Sequence, residues 1–205
     1  MNAIKEYLRQ QLSHFDSTAL WSPVIIRDAA RVLGYWAVPS FLTVIAVATF
    51  KEHVPSKYLE AAIGEGIGPH LWNVIGTLAL ILVGLNILMP GSKRLANAAY
   101  QVLTNTYAIG GLTLGLLCGQ MAVGLAALPK SIELWRVWLL GTGGAFLVFQ
   151  AMTLNFSLWY LGHLMDPQQP TNGFLQRVQA VDLRLRVVAF ALFSVLPIAL
   201  LFLEL

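Results

Sequence analysis

The sequence of 205 residues has little charge: only 11% of its residues are Asp, Glu, Lys or Arg, whereas 57% are apolar. Soluble domains carry about 25% charged residues, so this composition excludes an ordinary soluble fold. Almost no ionisable side chain interrupts five apolar stretches, at residues 34–50, 71–89, 103–128, 137–165 and 187–203. About 20 apolar helical residues cross the hydrocarbon core of a bilayer. The pattern therefore predicts an all-α, polytopic transmembrane helical bundle of about five spans.

Cysteine is also scarce. Cys118 is the single cysteine of the sequence and lies within the third apolar stretch. It can form no disulfide within the chain, so the redox compartment cannot be inferred from it. A small packing role is the expectation for such a residue. The net charge of +3 indicates no nucleic-acid partner, because the basic residues flank the apolar stretches, where membrane topology explains them.

Lysine and arginine divide unevenly between the two sides of a five-span bundle. Nine of the 13 lie on the side of the N-terminus and four on the other side. Basic residues collect on the cytoplasmic side, so we expect the N-terminus in the cytoplasm and the C-terminus outside. The first and last stretches are the shortest, which leaves four spans as the alternative. Residues 1–32 are predicted to form a cytoplasmic amphipathic or interfacial segment, and residues 33–205 the transmembrane helical domain.

The N-terminal residues 1–16 have the pattern of a surface helix. Apolar residues recur there at helical spacing among polar ones, at Ile4, Leu8, Leu12 and Phe15. Such a helix lies on the inner leaflet or packs on a partner.

Three further features predict where helices begin. Ser22-Pro23 is typical of a helix start, with Ser at the N-cap and Pro in the first turn. Ser92 is the expected cap of the helix that follows Pro90-Gly91. Phe174, Val178, Val181 and Leu185 predict an amphipathic lead-in to the last apolar stretch.

Three glycines, Gly111, Gly115 and Gly119, are spaced four residues apart in the third stretch. They share one helix face and form a groove that lets another helix approach closely. The fourth stretch offers a glycine-rich segment as a mate, containing Gly141, Gly143, Gly144 and Ala145. The groove is interpreted either as packing within one chain or as a seam between subunits.

Amide side chains are the second polar feature of the apolar stretches. They are Asn86, Asn105, Gln120, Gln150 and Asn155. An amide in hydrocarbon needs a hydrogen-bond partner. We expect these residues either to bond one another across helices or to line a polar path for water or a neutral solute.

The sequence predicts no catalytic residue, no metal site and no cofactor. The four histidines, His14, His53, His70 and His163, divide between the two faces of the membrane, so a bis-histidine haem is not expected. His53 and His70 are interpreted as interfacial anchors, with a metal site in the outer loop as the alternative. All ten carboxylates lie outside or at the ends of the stretches, which argues against proton-coupled transport.

Three classes of function agree with these features. The first is a non-catalytic integral membrane subunit of a larger multi-protein or homo-oligomeric assembly for secretion, conjugation, transport or defence. The second is a self-sufficient channel or transporter for a small neutral solute. The third is a membrane enzyme or redox-complex subunit. We expect the first, in a bacterial inner membrane, with the lipid bilayer and other membrane subunits or further copies as partners and no nucleic acid.

Overall fold

All regular structure in the described part of the chain is helical. A computed structural model describes residues 2–13, 15, 23–50, 67–166 and 173–203. Within them lie seven helices and no strand, so the predicted all-α class is confirmed. The helices are α1 (Asn2–Leu12), α2 (Pro23–Phe50), α3 (Ile67–Leu88), α4 (Lys93–Ala126), α5 (Leu134–Met165), α6 (Phe174–Ala180) and α7 (Leu183–Leu203).

Three of these helices are long and apolar enough to cross a membrane: α2, α4 and α5. In α3 the fully described part, Asn73–Leu88, is a shorter apolar helix. In α7 the first turn carries Arg184 and Arg186, so its uncharged part begins later. The five predicted spans are therefore not confirmed, and helix length and composition support three.

Local sequence signals explain several helix ends. As expected, α2 begins at Pro23, whereas Ser22, its predicted N-cap, lies outside the described residues. Ser92 caps α4, because its Oγ accepts a hydrogen bond from the backbone N–H of Leu95 at 3.4 Å. The predicted lead-in to the last stretch is split into α6 and α7. Asp182 begins α7 because its Oδ1 accepts a hydrogen bond from the backbone N–H of Arg184 at 3.1 Å.

The chain forms two compact units. The first unit comprises Met1–Arg27, Asn73–Thr106 and Leu158–Leu205, and the second comprises Asp28–Trp72 and Tyr107–Ser157. In the first unit α3 and α7 approach closely at Gly84, where an added Cβ would lie 3.0 Å from Ser194 Oγ and 3.2 Å from the Phe190 ring. In the second unit α2, α4 and α5 pack together through the contacts described next.

Candidate functional site

The predicted glycine groove on α4 is occupied by α2 of the same chain. At Gly115 an added Cβ would overlap Ser40 Oγ and the carbonyl group of Ala37. One turn later, at Gly119, it would lie 2.7 Å from the Cβ of Val44. Only glycine allows the two backbones to approach so closely. Of the two interpretations of the groove, packing within one chain is the one that the structure contains.

The helix that fills this groove carries small residues at matching positions. Ala37 and Ser40 lie against Gly115, and the Ser40 hydroxyl is satisfied by donating to the backbone carbonyl of Trp36 at 2.9 Å. Contacts advance in the same direction along both helices, from Leu33 at Gly111 to Val44 at Gly119, so α2 and α4 run parallel here. Sequence reasoning missed α2 as the mate, although its small residues at helical spacing were a usable signal.

The glycines of α5 are used differently from those of α4. Added Cβ atoms at Gly141 and Gly143 would meet no atom within 4 Å. At Gly144 the added Cβ would lie 2.7 Å from Sδ of Met121, the flexible end of a side chain on α4. The segment predicted as the mate of the groove therefore touches α4 at Gly144 but does not enter the groove.

A tyrosine joins α2, α4 and α5 within the second unit. The Tyr107 hydroxyl of α4 donates to the backbone carbonyl of Ala29 on α2 at 2.8 Å. The backbone carbonyl of Tyr107 accepts a hydrogen bond from Nδ2 of Asn155 on α5 at 3.1 Å. Asn155 is 1% exposed and Tyr107 is 2% exposed, so these bonds lie in the core of the unit. In hydrocarbon, donors such as the Tyr107 hydroxyl and Asn155 Nδ2 need acceptors on neighbouring helices, and both have one here.

The first unit contains a comparable amide. Asn86 of α3 is fully buried, and its Nδ2 donates to the backbone carbonyls of Leu82 and Leu95, each at 3.0 Å. The second of these bonds fastens α3 to the start of α4. Asn86 and Asn155 thus bond the main chain of neighbouring helices rather than each other.

The remaining predicted amides are more exposed. Gln120 is half-buried on α4, whereas Asn105 and Gln150 are exposed. The structure therefore does not bring the five amides together as the lining of one path.

A shallow cleft of about 500 Å³ in the first unit lies beside the turn between α3 and α4. It is lined by residues 88–92, Gln179 and Arg186. Nη1 of Arg186 donates to the backbone carbonyl of Leu88 at 3.3 Å, which places a cation at the C-terminus of α3, where the helix dipole favours positive charge. No sequence pattern predicts this cleft, because residues far apart in the chain line it.

The N-terminal amphipathic helix α1 is held by polar contacts in the first unit. The Tyr7 hydroxyl donates to Oδ2 of Asp182 at 2.7 Å, and the backbone N–H of Asp182 donates to Oε1 of Gln11 at 3.0 Å. The hydrogen bond from Tyr7 lowers the pKa of Asp182, and the same bond raises the pKa of Tyr7. Close by, the rings of Phe15 and Phe174 lie 5.9 Å apart. Asp182 therefore both begins α7 and anchors α1.

The histidines can be located only in part. His14 and His53 lie outside the described residues, and His70 lies in α3 without a described side chain. His163 is half-buried near the end of α5. Among the residues with described side chains, no group of three or more His, Cys, Asp or Glu converges as metal ligands would.

The surface of α5 that faces away from its neighbours is apolar and uncovered. In the most apolar 18-residue segment of α5 no residue is buried, whereas 28% of the residues in the corresponding segment of α4 are buried. Trp138, Phe146, Leu147 and Phe149 are each more than 60% exposed. Exposing such a large apolar surface to water is unfavourable, whereas exposing it to the hydrocarbon of a bilayer is not.

Comparison with protein-family models, with curated proteins and with solved structures found no match for this chain. Its function is therefore inferred from the contacts above.

Proposed function

We propose that this chain is a non-catalytic integral membrane subunit of a larger assembly, in the class of secretion, conjugation, transport or defence complexes. The observation that carries this proposal is how the polar groups inside the apolar helices are used. Asn86, Tyr107 and Asn155 each direct a hydrogen bond to the backbone of a neighbouring helix. These side chains fix helix positions, which is the requirement of a scaffold.

The glycine groove supports the same proposal. Its three glycines bring α2 and α4 into close contact, so the groove serves the fold of the chain itself. The uncovered apolar side of α5 is then one surface that is left for other proteins. A chain that is firmly packed on one side of a helix and bare on the other suits a subunit inserted among lipid and protein neighbours.

The finer topology belongs to this proposal. We propose a multi-pass protein of a bacterial inner membrane with its N-terminus in the cytoplasm. The basic residues at the start of α4 and along α6 and α7 support this orientation. The parallel course of α2 and α4 supports the multi-pass part of this proposal, because two helices that cross in the same direction require a crossing between them. Reporter fusions after Lys93 and Arg177 should be cytoplasmic, and a fusion after Lys130 should be external.

The assembly is tested by mass in native lipid. The tagged chain is extracted in lipid nanodiscs without detergent. Each nanodisc should contain more protein than one chain of 22.5 kDa. Native mass measurement then gives the number and identity of the subunits. A single chain per nanodisc that conducts a small neutral solute after reconstitution would contradict the proposal and establish the channel alternative.

A further inference from the structure

The uncovered, mainly apolar side of α5 carries one stripe that contains small and polar residues. Its residues follow four-three spacing and all are exposed, so they share one face of the helix. We name this set the outer stripe: Leu139, Gly143, Phe146, Gln150, Thr153 and Ser157. Leu139 and Phe146 are its large apolar members, and the others are small or polar, which is common in helix faces that pack together in membranes.

Gln150 lies at the middle of α5. It is 16 residues after Leu134 and 15 residues before Met165. At 1.5 Å per residue this is more than 20 Å from either end of the helix, roughly the centre of a span. The side chain is too short to reach either interface from that depth.

The amide of Gln150 has no partner within the described chain. No hydrogen bond joins it to any described residue. The hydroxyl groups beside it are satisfied differently: Thr153 donates to the carbonyl of Phe149 at 2.9 Å, and Ser157 donates to the carbonyl of Thr153 at 2.9 Å. Gln150 is therefore the member of the outer stripe whose amide still requires a hydrogen-bond partner, and lipid tails provide none.

We propose that the outer stripe is the contact surface for a second copy of this chain, with Gln150 paired to Gln150 of the partner subunit. This rests on the proposed function, since it requires α5 to cross the bilayer. Copies of one chain insert in the same orientation, so a two-fold axis along the membrane normal places the same residue of both copies at the same depth. A glutamine carries both an NH₂ donor and a carbonyl acceptor, so two of them complement each other.

The neighbours of Gln150 fit such a pairing. Gly143 lies two turns before Gln150 and Ser157 two turns after it, so small residues flank the amide on the same face. They allow the two α5 helices to come close enough for the amides to meet. Phe146 and Leu139 supply the apolar contact between them, and both are more than 60% exposed in the single chain.

Disulfide trapping in membranes tests the contact directly. In a Cys118→Ala background, Gln150→Cys should form a dimer of about twice 22.5 kDa upon mild oxidation. Phe149→Cys is the matched control: it is 65% exposed at the same depth but points about 100° away around the helix. Equal cross-linking at both positions would show random collision and overturn the proposal.

The role of the amide is tested by dilution in lipid. Gln150→Leu should weaken dimerisation about 3- to 30-fold in energy-transfer measurements, since an interhelical hydrogen bond contributes about 0.6–2 kcal/mol. Gln120→Leu replaces a half-buried glutamine of α4 and should leave dimerisation unchanged. Gln150→Asn should keep part of the dimer affinity. A particle that contains one copy of this chain with a different protein would overturn the second-copy proposal and leave the subunit proposal intact. A lone chain in native lipid would contradict both.

Discussion

Helices α4 and α5 carry the same kinds of residue and use them in opposite ways. Each has glycines three or four residues apart, and each has amide side chains within its apolar length. On α4, Gly111, Gly115 and Gly119 touch α2, so closely that an added Cβ at Gly115 would overlap the α2 backbone. On α5, Gly141 and Gly143 face open space, and Gln150 is exposed. A pattern of glycines or amides thus indicates that another helix can pack closely against this one. Only the fold shows whether that other helix belongs to the same chain.

The amides of α5 show the same contrast within one helix. Asn155 is 1% exposed and bonds the carbonyl of Tyr107, whereas Gln150, five residues earlier, is exposed on the other side. Five residues turn the helix by about 500°, which moves a side chain by about 140° around the axis. The two amides therefore belong to different contacts, one inside the chain and one open to the membrane.

The largest expected effect on stability comes from replacing a glycine by alanine, once in the contact between α2 and α4 and once where α5 faces open space. Gly115→Ala should lower the free energy of unfolding by about 2 kcal/mol, because the new Cβ meets backbone that cannot move away. Gly141→Ala should raise the free energy of unfolding by about 0.5 kcal/mol or more, because its Cβ meets open space and alanine favours helix. Unfolding by SDS titration in mild detergent measures both. Equal values for the two variants would show that the α2–α4 contact is not as close as described.

The amides give the second test, again with one substitution at two positions. Asn155→Leu should lower the free energy of unfolding by about 1 kcal/mol, since it removes the hydrogen bond to Tyr107. Gln150→Leu should leave the stability of the isolated chain unchanged or raise it, because it replaces an exposed amide by a side chain suited to hydrocarbon. The same SDS titration, at a dilution that keeps the chain monomeric, measures both. A destabilised Gln150→Leu variant would show that the amide has a partner inside the chain.

The positions of the helices were predicted better from the sequence than the contacts between them. Apolar runs and caps placed α2, α4 and α5 and the start at Pro23, because the length of a span and the chemistry of a helix end are local properties. The mate of the glycine groove was not predicted, because spacing shows that a face is hollow but not which helix fills it. The hydrogen bond between Tyr107 and Ala29 joins residues 78 positions apart, which no local pattern reports.

A smaller effect is expected where the close contact is with a flexible group. Gly144→Ala places its Cβ 2.7 Å from Sδ of Met121, and a thioether can rotate aside. The free energy of unfolding should change by less than about 1 kcal/mol, between the values for Gly141→Ala and Gly115→Ala. Met121→Ala should relieve the contact, so the double variant should show no further cost from Gly144→Ala. A loss as large as that of Gly115→Ala would mean that the α4–α5 contact is as tight as the α2–α4 contact.

The smallest effect concerns the exposed bond between Tyr7 and Asp182, which lies far from these helix contacts. The pKa of Asp182 is lowered from 3.8, so its contribution is present above that value and is lost as the pH falls through the lower, folded pKa. The pKa of Tyr7 is raised from 10.0, so its contribution is present below pH 10.0 and is lost as the pH rises through the folded pKa. The attachment of α1 should therefore be complete between about pH 4 and pH 10 and weaken outside that window.

A spin label at Lys5→Cys in the Cys118→Ala background measures this attachment as label mobility. Mobility should rise below about pH 4 and above about pH 10, and Tyr7→Phe should show the higher mobility at every pH. Both side chains are exposed, so the free energy of global unfolding should not change measurably. The Gly115→Ala variant is the control, since it weakens the contact of α2 with α4 but should leave the mobility of α1 at neutral pH unchanged. A pH-independent label in the unsubstituted Tyr7 background would show that α1 is held by Gln11 and Phe15 instead of by this hydrogen bond.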